Sequence, residues 1–302
     1  METAAAAFTH VLCPIDFSET SQRALRHAAA LAARTGARLS VLHVTPDPGD
    51  YVPVAGELGA GVAALAMPPR SQVVGRLSAE IDRVLGATTA AEALVAAGRP
   101  HQVVLEQAAA IGADLLVLGT HGRTGFERLF LGSTTEKVLQ TATCPVLTVP
   151  PGAAGTEPIR LARILCPTDF SASARRARDI ALDIARRSEG EVTLLHALEY
   201  VDPEGLPPYA DVAVQAHRTE LLEHVRQRLH AEAAVPGAGC EVHEAVAVNK
   251  AWREILDMAR SLPADLIVMG AQGHSGIELL LYGSTTQHVV RRATCPVLTV
   301  RG

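Results

Sequence analysis

The chain has 302 residues, a length that accommodates two domains of ordinary size. Its composition of 48% hydrophobic and 20% charged residues is typical of a globular protein with an ample core. The formal charge of −5 and the aromatic content of 3% disfavour a nucleic-acid partner and an attraction to anionic lipid.

In chain order, short apolar runs alternate with segments of helical periodicity. The first half predicts strands at 11–13, 39–44, 93–97, 115–118 and 146–149. Helices are predicted between them, the first capped by Ser18 and the others at 73–85, 103–111 and 134–140. Strands that alternate with helices indicate parallel strands joined by right-handed crossovers, hence a doubly wound, Rossmann-like α/β fold with a five-stranded parallel sheet.

The same series of segments occurs twice. HVLCPIDFS at 10–18 returns as RILCPTDFS at 163–171, LLVLGTHG at 115–122 as LIVMGAQG at 266–273, and TCPVLTV at 143–149 unchanged at 294–300. The stretch between the copies, PPGAAGTEP at 150–158, has the proline and glycine density of a linker. We therefore predict two tandem domains of one fold, over residues 1–150 and 160–302.

A glycine motif follows the fourth predicted strand of each copy. In the first copy it comprises Gly119, Gly122, Gly132 and Ser133, with the spacing G-x-x-G-x(9)-G-S. Open α/β sheets bind ligands at the carboxyl ends of the strands where the strand order reverses, so this loop should face the loop after the first strand. Glycines let backbone N–H groups converge on an anion, and the helix that follows Gly132 offers a phosphate site at its N-terminus.

The motif leaves the role of its serine open. Ser133 and Glu136 have the S-x-x-E spacing of a capping box, and Ser284 and Gln287 have the S-x-x-Q form. A plain N-cap and a phosphate ligand are both compatible with these residues. Asp16 is similarly either a helix cap or a ligand-binding side chain. The spacing itself is neither that of a P-loop nor a dinucleotide-binding fingerprint.

With C-P-[IT]-D-F-S before it and T-C-P-V-L-T-V after it, the motif resembles that of the ATP-binding subgroup of the universal stress protein family. The resemblance covers essentially the whole chain, as a tandem pair of family domains. It implies that the aspartate after the first strand and a residue ending the second hold adenine, that the residue before the first motif glycine lines the ribose, and that the glycine loop takes the phosphates. In the first copy the implied binding residues are Pro14, Asp16, Val44, Leu118, Gly119, Gly122, Arg123, Gly132, Ser133 and Thr134. In the second they are Pro167, Asp169, Ala197, Met269, Gly270, Gly273, Gly283, Ser284 and Thr285.

The implied ligand is ATP with Mg²⁺, with no catalytic residue and no metal ligand expected from the protein. The second copy departs from the first at two positions, with His274 in place of Arg123 and Ala197 in place of Val44. An arginine strengthens contacts to phosphate by its charge, and a smaller side chain packs less well against a base. The second site is therefore expected to be the weaker one.

Three functions remain open at this stage: a nucleotide-dependent stress-response or signalling module, a slow ATPase, and a structural oligomer with vestigial sites. A phosphoryl-transfer enzyme needs a positioned base and a cation at the γ-phosphate, and Arg123 alone could supply the cation. Each copy ends in a short strand, at 143–149 and at 294–300, that would leave an open sheet edge. Pairing of these edges predicts an intramolecular pseudo-dimer, and a homodimer of the whole chain is compatible with it.

The sequence also bears on the cellular location of the protein. The first nine residues contain no basic segment, and the longest uncharged stretch, 138–156, contains three prolines. We therefore expect no signal peptide, no membrane span and a cytoplasmic protein.

Overall fold

The structure is a computed structural model that describes residues 8–46, 68–120, 131–153, 160–199, 210–235, 239–272 and 283–301. Its internal contacts divide the chain into two compact units, Met1–Ile159 and Arg160–Gly302. Each unit has the predicted α/β architecture.

In the first unit five parallel strands lie in the order β3-β2-β1-β4-β5. The order reverses beside β1, which makes the sheet doubly wound as predicted. Its elements are β1 (His10–Pro14), α1 (Glu19–Thr35), β2 (Arg38–Thr45), α2 (Arg70–Leu85), β3 (Glu92–Ala97), α3 (Pro100–Ile111), β4 (Leu115–Gly119), α4 (Ser133–Thr141) and β5 (Val146–Val149).

The second unit repeats this arrangement with the strand order β8-β7-β6-β9-β10, again all parallel. Its elements are β6 (Arg163–Pro167), α5 (Ala172–Arg187), β7 (Glu191–Leu198), α6 (Ala210–Ala233), β8 (Glu241–Val248), α7 (Ala251–Ser261), β9 (Leu266–Gly270), α8 (Ser284–Arg292) and β10 (Val297–Val300).

The central strands form the core of each unit. Val11, Leu12 and Cys13 of β1 are fully buried, as are Leu115 and Leu116 of β4. A parallel strand with helices on both faces is apolar along its whole length, which explains why these strands are continuous apolar runs instead of alternating ones.

The first helix of each unit begins at a serine, as the sequence predicted for Ser18. The Ser18 hydroxyl accepts a hydrogen bond from the Ser21 N–H at 3.2 Å, and the Ser171 hydroxyl accepts one from the Ala174 N–H at 3.2 Å. Each cap satisfies one of the unpaired N–H groups at the helix start. This fixes the exit of the chain from the carboxyl end of β1 or β6.

All four residues of β5 are buried, and so are all four of β10. Pairing of the two final strands stays a prediction. Among the described residues, no helix is both long enough and apolar enough to cross a membrane.

Candidate functional site

A cavity of about 250 Å³ opens at the carboxyl ends of β1, β2 and β4, where the strand order of the first unit reverses. Eight of the binding residues implied by sequence line it: Pro14, Asp16, Val44, Leu118, Gly119, Gly132, Ser133 and Thr134. The other two, Gly122 and Arg123, lie outside the described residues. The fold thus brings together positions that are more than 100 residues apart in the chain.

The second unit has a cavity of about 150 Å³ at the equivalent place. Again eight implied residues line it: Pro167, Asp169, Ala197, Met269, Gly270, Gly283, Ser284 and Thr285. Gly273 lies outside the described residues, as does His274.

One wall that the sequence did not predict comes from the helix after the third strand. Pro100 and Val104 of α3 line the first cavity, and Ala251 and Ile255 of α7 line the second. This wall could have been predicted from the sequence, because Pro100 closely follows the third strand. The carboxyl end of that strand lies on the same side of a parallel sheet as those of the first and fourth strands. The second cavity is the smaller one, and its lining has Ile255 where the first has Val104 and Ala197 where the first has Val44.

The aspartate after the first strand begins a turn and also lines the cavity. Asp16 Oδ1 accepts a hydrogen bond from the Ser18 N–H at 3.0 Å, and Asp169 Oδ1 accepts the same bond from the Ser171 N–H at 3.0 Å. These bonds orient each carboxylate just before the N-cap of the next helix. Of the two roles that the sequence left open for Asp16, the helix cap is wrong, because Ser18 is the N-cap of α1. Asp16 instead forms the turn before the cap and lines the cavity, and its role as a ligand-binding side chain stays a prediction.

The helix that closes each cavity starts differently from the prediction. Its N-cap is Gly132, and the Glu136 N–H donates to the Gly132 carbonyl oxygen at 2.9 Å. Ser133 is therefore the first helical residue, one position too late to cap, so the predicted capping box is wrong. Gly283 and Ser284 repeat this arrangement in the second unit.

Because Ser133 and Ser284 do not cap their helices, their hydroxyls are not used in capping bonds. Ser133 and Ser284 are exposed, and within the described part of the chain neither hydroxyl forms a hydrogen bond. Both residues line their cavities at a helix N-terminus, where unpaired N–H groups and the helix dipole favour an anion. Each site thus combines a hydroxyl donor with backbone donors.

A threonine two residues further on fixes this helix to the sheet. The Thr135 hydroxyl donates to the Gly119 carbonyl oxygen at 2.7 Å, and the Thr286 hydroxyl donates to the Gly270 carbonyl oxygen at 3.1 Å. Both threonines are buried. This role of the threonines was not predicted from the sequence, although G-S-T-T occurs in both copies.

The first glycine of the motif is required by packing. A Cβ atom on Gly119 would lie 2.8 Å from Thr20 Cγ2 and 3.1 Å from the Thr20 backbone, and one on Gly270 would lie 2.7 Å from Ser173 Oγ. The distances below 3.0 Å are shorter than real Cβ contacts, and 3.1 Å is tighter than most of them. Glycine thus lets the end of β4 or β9 pack against the first turn of α1 or α5. The sequence had assigned this glycine to close approach by a ligand alone.

Half-buried histidines lie at the ends of β2 and β7, next to the cavity. His43 Nδ1 donates to the Ile15 carbonyl oxygen at 2.8 Å, and His196 Nδ1 donates to the Thr168 carbonyl oxygen at 2.8 Å. Burial lowers the pKa of His196. These bonds join the second strand of each unit to the loop after the first strand.

The described residues contain one cluster of potential metal ligands, away from the cavities. Glu191 begins β7, Glu241 begins β8 and His243 follows, so the cluster lies at the amino ends of the strands. It therefore lies at the opposite ends of the strands from the cavities, which are at the carboxyl ends.

Each unit is thus a doubly wound parallel α/β domain with a cavity at the reversal of strand order and a helix N-terminus at its rim. Domains of this class bind their ligands at that edge. The Universal stress protein family matches the chain twice, over residues 7–150 and 161–301. The chain belongs to the universal stress protein family, in a tandem two-domain form.

Individual relatives agree with this assignment. A universal stress protein of Thermus aquaticus is 37% identical over 142 residues, which are 47% of this chain and 98% of the relative. A universal stress protein of Mycolicibacterium smegmatis is 26% identical over 297 residues and covers 96% of both chains. The crystal structure of a universal stress protein from Archaeoglobus fulgidus, 22% identical, covers 98% of this chain and 96% of its own with a TM-score of 0.64, which shows the shared fold.

Proposed function

We propose that each unit binds an adenine nucleotide, with ATP and Mg²⁺ as the ligand, and that the chain is a nucleotide-dependent stress-response module. The proposal depends on one observation. Every implied binding residue within the described part lines a cavity that ends at a helix N-terminus, where the serine hydroxyl forms no hydrogen bond with another described residue. The stress-response role rests on membership of the family.

The chemistry of the cavity fits the parts of a nucleotide. Apolar side chains such as Val44 and Leu118 form walls against which a base packs, and the Asp16 carboxylate is an acceptor for an exocyclic amine or a ribose hydroxyl. The N–H groups at the start of α4 and the Ser133 hydroxyl are donors for phosphate oxygens. Mg²⁺ would be held by the phosphate oxygens and water, since the Asp16 carboxylate is assigned to the base and ribose.

The size of the cavity constrains how the ligand sits. Ligand pockets typically measure about 300–1,000 Å³, whereas these cavities measure about 250 and about 150 Å³. Each therefore encloses part of a nucleotide. The base and ribose fit the enclosed part, and the phosphates extend along the helix N-terminus at the rim.

The proposal is tested by placing a carboxylate where the phosphates are expected to bind. Ser133→Asp should abolish ATP binding in the first unit, because a negative side chain repels phosphate and a charge-assisted bond worth roughly 1.5–3 kcal/mol is lost. Aspartate in the first turn favours a helix N-terminus, so the fold should remain. Ser284→Asp should act in the same way on the second unit, and isothermal titration with native mass spectrometry would count the ATP molecules per chain.

Matched controls separate charge from the loss of the hydroxyl. Ser133→Ala and Ser284→Ala remove only the donor and should weaken ATP binding by about 10-fold, the lower end of the range for such a bond. An unmodified chain that gives no heat and no thermal shift with ATP, ADP or AMP would contradict the proposal. Normal ATP binding by the folded Ser133→Asp/Ser284→Asp chain would place the nucleotide elsewhere.

A further inference from the structure

A short segment recurs on the helix after the second strand of each unit. It reads RLSAE at 76–80 on α2 and RLHAE at 228–232 on α6. The leucine of each copy, Leu77 or Leu229, is fully buried and anchors the helix in the core. This R-L-x-A-E segment therefore has a fixed place beside the sheet in both units.

The arginine of the segment covers the phenylalanine of the D-F-S turn. In the first unit the Arg76 guanidinium lies 4.3 Å from the centroid of the Phe17 ring. The same phenylalanine ring contacts the His43 ring, at 4.5 Å between centroids. The arginine thus stacks on the phenylalanine ring, and the histidine ring contacts that ring at an angle of 49°. These contacts join α2, the β1–α1 turn and the end of β2.

The second unit forms the same stack from its own residues. Arg228 lies 4.2 Å from the centroid of the Phe170 ring, and this ring lies 4.6 Å from the His196 ring. Glu232 of the same segment adds a second contact, since its Oε2 accepts a hydrogen bond from the Thr168 hydroxyl at 3.3 Å. Thr168 lines the cavity.

The turn that the stack covers is strained in both units. Phe17 has a φ of +63° and Phe170 a φ of +65°. A bulky residue rarely adopts this left-handed conformation, and such strain persists only where the surroundings hold it. The aspartate turn, the serine cap and the ring stack are the contacts that hold it.

The neighbours of the stacked residues are the cavity residues themselves. Asp16 precedes Phe17 and Val44 follows His43, and both line the first cavity. Asp169 and Ala197 occupy the same places in the second. A shift of either ring would therefore move the wall of the cavity on the side implied for the base.

We propose that Arg76 and Arg228 are positioning residues for the ligand. Each holds the strained Asp-Phe-Ser turn through its stack and thereby fixes the aspartate and the strand-end residue that line the cavity. The identity of the ligand in this inference rests on the proposed function. The contribution of the arginine to holding the turn does not depend on the identity of the ligand, and it can be measured without any ligand.

The test compares two arginines of α6 in the full-length chain. Arg228 and Arg226 are both exposed, and removing either deletes one positive charge. Hydrogen exchange without nucleotide should be faster across 167–171 in Arg228→Ala and unchanged in Arg226→Ala. Arg228→Lys keeps the charge but not the planar stacking group, so it should resemble Arg228→Ala.

Nucleotide affinity is read at one site at a time. In a Ser133→Asp background only the second site remains, and Arg228→Ala should weaken its ATP binding by about two- to fivefold, the strength of an exposed cation–π contact. In a Ser284→Asp background, Phe17→Leu should weaken the first site by about tenfold. Phe17→Tyr keeps the aromatic ring and should retain the affinity of the unmodified first site.

Equal exchange and equal affinity in Arg228→Ala and Arg226→Ala would overturn the inference. Equal affinity in Phe17→Leu and Phe17→Tyr would do the same for the ring. If hydrogen exchange is faster in Arg228→Ala but the unmodified chain binds no ATP, the arginine holds the turn and the ligand is not an adenine nucleotide. The two proposals therefore fail in different measurements.

Discussion

Gly119 offers a sharp test of how β4 meets α1. In Gly119→Ala the new Cβ would lie 2.8 Å from Thr20 Cγ2 and 3.1 Å from the carbonyl carbon and oxygen of Thr20. Thr20 Cγ2 belongs to a side chain that can rotate, whereas the backbone contacts require α1 or β4 to shift. Gly119 does not have a positive φ, so the conformation of the chain itself adds no strain.

The expected loss of stability follows from these contacts. Overpacking by one carbon atom typically costs 1–3 kcal/mol, and replacing glycine by alanine returns about 0.4–1 kcal/mol through the unfolded state. The net loss in the free energy of unfolding should be about 1–2 kcal/mol. In a domain of about 150 residues this lowers the Tm by roughly 2–8 °C.

Gly75 is the matched control for this experiment. It lies inside α2, has no positive φ, and a Cβ there would meet nothing within 4 Å. Gly75→Ala should therefore raise the free energy of unfolding by about 0.5–1 kcal/mol. Differential scanning calorimetry of both chains without nucleotide measures the two effects. A Gly119→Ala chain at least as stable as the unmodified protein would refute the packing role of this glycine.

The remaining predictions concern the glycine loops, the difference between the sites and one buried histidine. Gly122→Val and Gly273→Val should together abolish ATP binding, because a branched side chain blocks the close approach of the backbone to the ligand. Titration of the folded double variant with ATP checks this. Normal ATP binding would exclude these loops from the binding site. The first site should bind ATP more tightly than the second at pH 7.5, and the difference in affinity should shrink toward pH 6 as His274 gains the charge that Arg123 always carries. Titration of the Ser284→Asp chain measures the first site and titration of the Ser133→Asp chain measures the second, at both pH values. Equal affinities of the two sites would contradict this prediction. His27 is buried, and burial lowers its pKa in the folded protein below 6.5. Folding therefore favours neutral His27, so stability should fall as the pH drops below 6.5, and His27→Gln should reduce that fall in urea unfolding at pH 7 and pH 5.

The sequence alone was sufficient for the architecture. Apolar runs such as 115–118 have the length and continuity of buried central strands, and the helical periodicity between them implies parallel crossovers. Because the same series of segments occurs in two copies, each predicted element is supported by two sequences. The rule that ligands bind where strand order reverses then selects the loops after the first and fourth strands, which is why Asp16 and Ser133 could be placed in one site before the fold was known.

Only the tertiary structure decided what several of these residues do. Ser133 has the spacing of a cap, but the helix begins one residue earlier than that role requires, and a single-residue shift in a helix start leaves little trace in sequence. Gly119 has the place of a ligand-binding glycine, yet its missing Cβ accommodates Thr20, which lies 99 residues away. The contact of Arg76 with Phe17 joins positions 59 residues apart. Local sequence patterns record the preferences of neighbouring residues, whereas contacts such as these depend on how separate elements pack, and that packing exists only in the folded chain.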